Sequence, residues 1–112
     1  MTQSDFAEML RESLPVGTVF QNPGGGISKV VSHRDGVVSY RRGASNISVS
    51  ANSLFVGYIT FRGNRMSSSE LRDRWPAIFD SSARPAGHSC NATFLFLALA
   101  KMELSSSIKG RG

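Results

Sequence analysis

The chain has 112 residues, 40% hydrophobic and 19% charged, enough for one domain with its own core and too apolar for a disordered chain. Its single cysteine excludes an intramolecular disulfide, and its longest apolar run, Phe94 to Ala100, falls far short of the roughly 20 residues a membrane span needs. The formal charge is +5, and ten of the thirteen basic residues are arginine.

The opening segment predicts a helix to about Leu14, capped by Ser4 or Asp5, with Phe6, Met9, Leu10 and Leu14 on one stripe. Glu8, Arg11 and Glu12 fall off that stripe and face water, and Pro15 and Gly17 end the helix. The segment is polar and acidic, with no basic region leading into an apolar core, so no secretory signal is expected. A cytoplasmic location is the resulting expectation, and a lone thiol suits a reducing compartment.

Thr18 to Gln21 reads as a short strand, and NPGGG, residues 22 to 26, as a turn whose glycines tolerate positive φ. Ile27 to His33 then alternates Ile27, Lys29, Val31 and His33 against Ser28, Val30 and Ser32. Asp35-Gly36 is a hairpin turn signal, with Val37 to Arg42 returning. A looser turn at Gly43 to Ser45 leads to Asn46 to Ser50, where Ile47 and Val49 alternate with serines. These pieces predict an antiparallel meander of three or four strands. Its GTVF opening, glycine turn and KVV and VVSY strands resemble small SH3-like barrels, a likeness of fold that implies no function.

Residues 50 to 63 are expected to be helical, with Leu54, Phe55, Tyr58, Ile59 and Arg62 on one stripe, although their β-branched and aromatic content also suits a strand. Ser67 and Glu70 form a capping-box pattern that starts a helix running to Trp75; Pro76 biases Trp75 away from helical geometry, and Ala77 to Phe79 suit one further turn. After a loop from Asp80 to Ser89, a last helix from about Asn91 to Met102 is apolar almost all round, as a central core helix is. The fold class is therefore α+β, a meander packed against N-terminal and C-terminal helices. Residues 1 to 104 make one domain and residues 105 to 112 a flexible tail.

The charge is concentrated in the middle. Residues 28 to 74 hold eight basic side chains against three acidic ones, whereas residues 1 to 27 hold one against three. Such a field suits a phosphate-bearing partner. Arginine grips phosphate with paired hydrogen bonds and stacks on bases, and a tyrosine can add a stacking surface. Lys29, Arg34, Tyr40, Arg41, Arg42, Arg62 and Arg65 are thus the candidate nucleic-acid residues. Lys29 and His33 should share a face of their strand, and Tyr40 and Arg42 a face of the next, with Arg41 opposite.

PAGHSCNATFLF, residues 85 to 96, sets Cys90 beside His88 at the start of the last helix. A helix N-terminus favours thiolate, and an imidazole could serve as base, yet cysteine is more often a small buried hydrophobe. The same helix start, with Arg84, His88, Ser89 and Asn91, is a candidate anion site, although Ser89 and Asn91 are also ordinary capping residues. NPGGG lacks the lysine and hydroxyl of a phosphate loop, and HRDG, residues 33 to 36, stands without the other kinase motifs. One cysteine and two histidines are too few soft ligands for a metal site, and no cofactor is implied. The sequence therefore points to a small basic module that binds DNA or RNA, or another polyanion, mainly through backbone charge, rather than to an enzyme. The rival expectation is a protein-interaction or homodimer contact through Trp75, Phe79 or the apolar 54–61 segment; a small enzyme using Cys90 and His88 ranks below it.

Overall fold

The computed structural model describes residues 2–22, 25–60, 67–81, 90–102 and 104. The chain begins with helix α1 (Gln3–Ser13), continues through strands β1 (Val19–Gln21), β2 (Ile27–Arg34), β3 (Val37–Arg42) and β4 (Ser45–Ser50), and follows with helices α2 (Ala51–Thr60), α3 (Ser68–Arg74), α4 (Pro76–Phe79) and α5 (Cys90–Lys101). Expected and observed elements agree in type and order, so the fold is α+β. The proposed tail, residues 105 to 112, lies outside the described residues.

Helix α1 starts earlier than expected. Thr2, not Ser4 or Asp5, is the N-cap: its hydroxyl accepts from Asp5 N–H, and the Asp5 carboxylate accepts from Thr2 N–H. Asp5 is the third residue of a capping box rather than the cap, and hydrogen bonding to its carboxylate from the backbone N–H and then the side chain of Thr2 holds its carboxyl below the usual range. Ser67 caps α3 as its spacing implies, accepting from Glu70 N–H at 3.3 Å and donating to the Glu70 carboxylate at 2.9 Å. Residues 51–60 resolve toward helix because Ser50 Oγ accepts from Ser53 N–H at 3.0 Å, capping α2 directly at the end of β4.

The sheet is an antiparallel meander in the order β1-β2-β3-β4. Asp35 and Gly36 both take positive φ, 52° and 76°, the geometry a two-residue hairpin turn requires. Strands β1 and β4 are opposite edges and do not pair, so the sheet stays open and the SH3-like closure does not form among the described residues. The helices pack on one face. The core joins Val30, Val38, Tyr40, Ile47 and Val49 of the sheet to Phe6 and Leu10 of α1, to Leu14 at its C-cap, and to Phe94, Leu95 and Leu99 of α5. Helix α5 packs against α1, α2, α3 and α4, the central place its all-round apolarity requires. No helix among the described residues is long and apolar enough to cross a membrane.

One irregularity in β2 decides which side chains reach which face. Val30 pairs with Tyr40 and Ser32 with Ser39, leaving Val31 as an unpaired bulge. A bulge adds one residue and so inverts the alternation beyond it. Before it, Ser28 and Val30 point inward and Ile27 and Lys29 outward, as the pattern predicts. Beyond it His33 stands opposite buried Val38, on the inner side. Lys29 and His33 therefore do not share a face. His33 Nε2–H donates to the Leu14 carbonyl at 2.6 Å, satisfying one of the carbonyls that the end of α1 leaves free.

Candidate functional site

The functional candidates gather at the end of the sheet where the β1–β2 and β3–β4 turns lie side by side. Lys29 and Arg41 are direct cross-strand partners, both exposed, on the face that no described helix covers. Arg42 follows on the inner face, where it pairs across from Ser28. Arg42 is half-buried, and its Nη1 donates to Cys90 Sγ at 3.3 Å. Among the described residues, no carboxylate pairs with Lys29, Arg34, Arg41 or Arg42. Two cations facing each other across strands repel, so this end stores unfavourable charge that an anion would relieve.

An open hollow of about 510 Å³ lies here, walled by Asn22, Gly25, Ile27, Lys29, Arg41 and Gly43 among others. Its floor belongs to the first turn, in which Asn22 N–H donates to Gly26 O and Gly25 N–H to Asn22 O, both at 3.0 Å. Gly25 and Gly26 take φ of 106° and 76°, which only glycine adopts freely. Asn22 is 6% exposed. Its Oδ1 accepts from Ser28 Oγ at 2.8 Å, while its Nδ2, also buried, has no partner. A second hollow of about 480 Å³, lined by Arg42, Ser45, Asn46, Ile47 and Cys90, adjoins on the inner side; Arg42 borders both.

Lys29, Arg41 and Arg42 are thus brought together. Arg34 is not: it sits at the other end of the sheet beside the Asp35-Gly36 turn, about 15 Å from Lys29 at the usual rise per residue. Tyr40 corrects the expectation of a stacking surface. It shares a face with Arg42, as the alternation implies, but that face is the inner one. The ring is 1% exposed and lies parallel to Phe94 with centroids 4.1 Å apart, so it offers no face to a base. Its hydroxyl donates to Asn91 Oδ1 at 2.8 Å, and burial pushes the phenol far above its ordinary value.

Asn91 is also corrected. It is fully buried, and its Nδ2 donates to the Ile78 carbonyl at 2.8 Å; both ends of its amide tie sheet, α4 and α5 together, leaving nothing for an external anion. Arg62, Arg65, Arg84, His88 and Ser89 lie outside the described residues. Of the interaction surface expected from Trp75, Phe79 and the 54–61 segment, Phe79, Leu54 and Tyr58 are buried, Phe55 and Val56 are partly buried and Ile59 is exposed; half-buried Trp75 donates from Nε1 to Thr60 Oγ1, and residue 61 lies outside the described residues.

Asn22 and Ser28 are not among the residues that sequence reasoning singles out. Ser28 carries a signal, a polar residue sharing the inward face with Val30, whereas Asn22 before Pro-Gly reads only as a turn former. Among the described residues, no three His, Cys, Asp or Glu side chains are grouped to hold a metal ion. Comparison with known protein families, with curated proteins and with solved structures finds no match to this chain.

Proposed function

We propose that the protein is a binding module for a polyanion, nucleic acid foremost, which it meets with the uncovered face and basic end of its sheet. The observation that carries this reading is the pairing of exposed Lys29 directly with exposed Arg41, without a carboxylate partner among the described residues, next to Arg42. Natural sheets avoid like charges in register unless something else compensates. A phosphodiester backbone supplies that compensation, and release of its counterions makes binding favourable at low salt. The protein grips phosphate rather than the base edges of a duplex, since among the described residues no helix with a polar exposed face is presented at this end.

The test is binding of labelled single-stranded and duplex oligonucleotides across a salt series. Affinity should fall steeply with salt. Lys29→Ala combined with Arg41→Ala should flatten the log–log slope by about 1.4 to 1.8, an increment of roughly 0.7–0.9 for each phosphate that is no longer neutralised. Both side chains are exposed, so the fold should be retained. Absence of binding at low salt, or an unchanged slope in the double variant, would remove this reading.

A further inference from the structure

Beyond a charged surface, the same end of the sheet has the makings of a pocket, and what it holds can be argued from its parts. We infer that the hollow at the glycine turn is a site for one unpaired nucleotide, either free or within a single strand. This rests on the polyanion reading and sharpens it.

The first support is chemical division within the hollow. Lys29, Arg41 and Arg42 bring cations to its rim, whereas Ile27, 49% exposed, and the backbone of Gly25, Gly26 and Gly43 supply a wall without charge. A phosphate belongs on the rim, and a flat apolar ring belongs against the wall. Neither Gly25 nor Gly43 would bring a Cβ against any neighbour, so the wall is open to an incoming ring. The volume, about 510 Å³, falls in the range of small-molecule sites and exceeds what a lone phosphate needs.

The second support is Asn22. Whichever way its amide is turned, Ser28 can satisfy one polar atom and the other is left over; with Ser28 donating to Oδ1, the remainder is the Nδ2 donor. A buried donor with no acceptor is unusual in a folded protein and calls for an explanation. An acceptor on a base or phosphate entering the hollow would complete it. Asn22 is itself one of the residues that line the hollow. A duplex cannot place a base in this hollow, because its bases are paired and stacked, so the site favours single strands.

The experiment follows the amide signals of Gly25, Gly26, Ile27 and Gly43 in the labelled full chain during titration with adenosine monophosphate, inorganic phosphate, a short oligodeoxyadenylate and its duplex. The mononucleotide should shift these signals saturably and at lower concentration than phosphate. The single strand should bind about tenfold more tightly than the duplex at equal salt. Asn22→Ala should weaken the single strand about fivefold, the loss of one hydrogen bond. Ile27→Ser, at a half-exposed position that leaves the core intact, should weaken the single strand and spare the duplex. If the mononucleotide acts no better than phosphate, and single strand and duplex bind equally and ignore Ile27→Ser, the nucleotide site is overturned while the polyanion surface stands. Binding of the mononucleotide without any oligonucleotide would uphold the site for free nucleotides and overturn the polyanion reading.

Discussion

Two buried asparagines mark two differently built regions. Asn91, at the junction of sheet, α4 and α5, has both ends of its amide satisfied, by the Tyr40 hydroxyl and the Ile78 carbonyl, each at 2.8 Å. Asn22, at the glycine turn, is nearly as buried yet satisfied at one end only. The charges divide in the same way. The segment from β1 through β4 carries four cations against one carboxylate, while the described helices and their connections carry four cations against six. The first region is complete in itself and holds layers together. The second leaves a donor and several cations unanswered, and such incompleteness is tolerated where a ligand supplies the answer.

If the junction is a closed network, breaking its centre should have the largest effect. Asn91→Ala strands the Tyr40 hydroxyl and the Ile78 carbonyl together, at roughly 1–3 kcal/mol for each orphaned group, so urea denaturation should show a loss of about 2–4 kcal/mol. Tyr40→Phe strands only Asn91 Oδ1 and should cost about 1–2 kcal/mol, while keeping the stack on Phe94. The two variants also differ with pH. The Tyr40 phenol is raised in the folded chain relative to its ordinary value of 10.0, so the unfolded chain releases that proton first. Stability held below about pH 10 is then lost as pH rises further, by up to about 1.4 kcal/mol per unit. Tyr40→Phe should remove one proton's share of this alkaline slope; an unchanged slope would show that Tyr40 ionises within the fold.

Most of the fold is legible in the sequence and less of the site, for a physical reason that recurs. Element types follow local signals: Ser67 with Glu70, Asp35 with Gly36, the all-round apolarity of residues 91 to 102. Which side of a strand faces the core is a property of the whole sheet, and the single bulge at Val31 inverts it for His33 while leaving Lys29 outside. Tyr40 misleads because alternation says that it shares a face with Arg42 but not that this face lies under Phe94. Asn91 looks like a helix cap because capping and buried bridging use the same amide. The sheet stays open among the described residues where an SH3-like barrel would close, and edge strands carry no local sign of whether they close. Asn22 escapes altogether: an amide half satisfied by a serine beyond the turn has no pattern in the chain.

A smaller effect tests the junction from behind. Gly57 lies where α2 meets α4 and α5, and a Cβ there would come 2.9 Å from Phe79 Cζ and 3.0 Å from Leu95 Cδ2. Gly57→Ala gains up to about 1 kcal/mol of helix propensity but overpacks the site at roughly 1–3 kcal/mol, for a net loss of about 1 kcal/mol by denaturant titration. Phe79 adjoins Ile78 in α4, so displacement of its ring should also loosen the Asn91 bond to the Ile78 carbonyl. In combination with Asn91→Ala the two losses should then sum to less than their separate values. Full additivity would mean that the bridge does not depend on how α4 is seated.

The smallest change in stability should come from Asn22→Ala, and its size discriminates between the two regions most sharply. The substitution removes one satisfied bond, to Ser28, and at the same time one orphaned donor. Stranding the buried Ser28 hydroxyl costs roughly 1–3 kcal/mol, and removal of the unpaired Nδ2 donor returns a comparable amount. Denaturation should therefore detect less than about 1 kcal/mol, well below the loss for Asn91→Ala, even though the chemical change is identical. A loss as large as that at Asn91 would mean that Asn22 is a structural bridge, with a partner for its Nδ2 in the folded chain in solution. The hollow would then lose its unmatched donor, leaving only the paired cations Lys29 and Arg41 to recommend this end of the sheet as the place where a ligand binds.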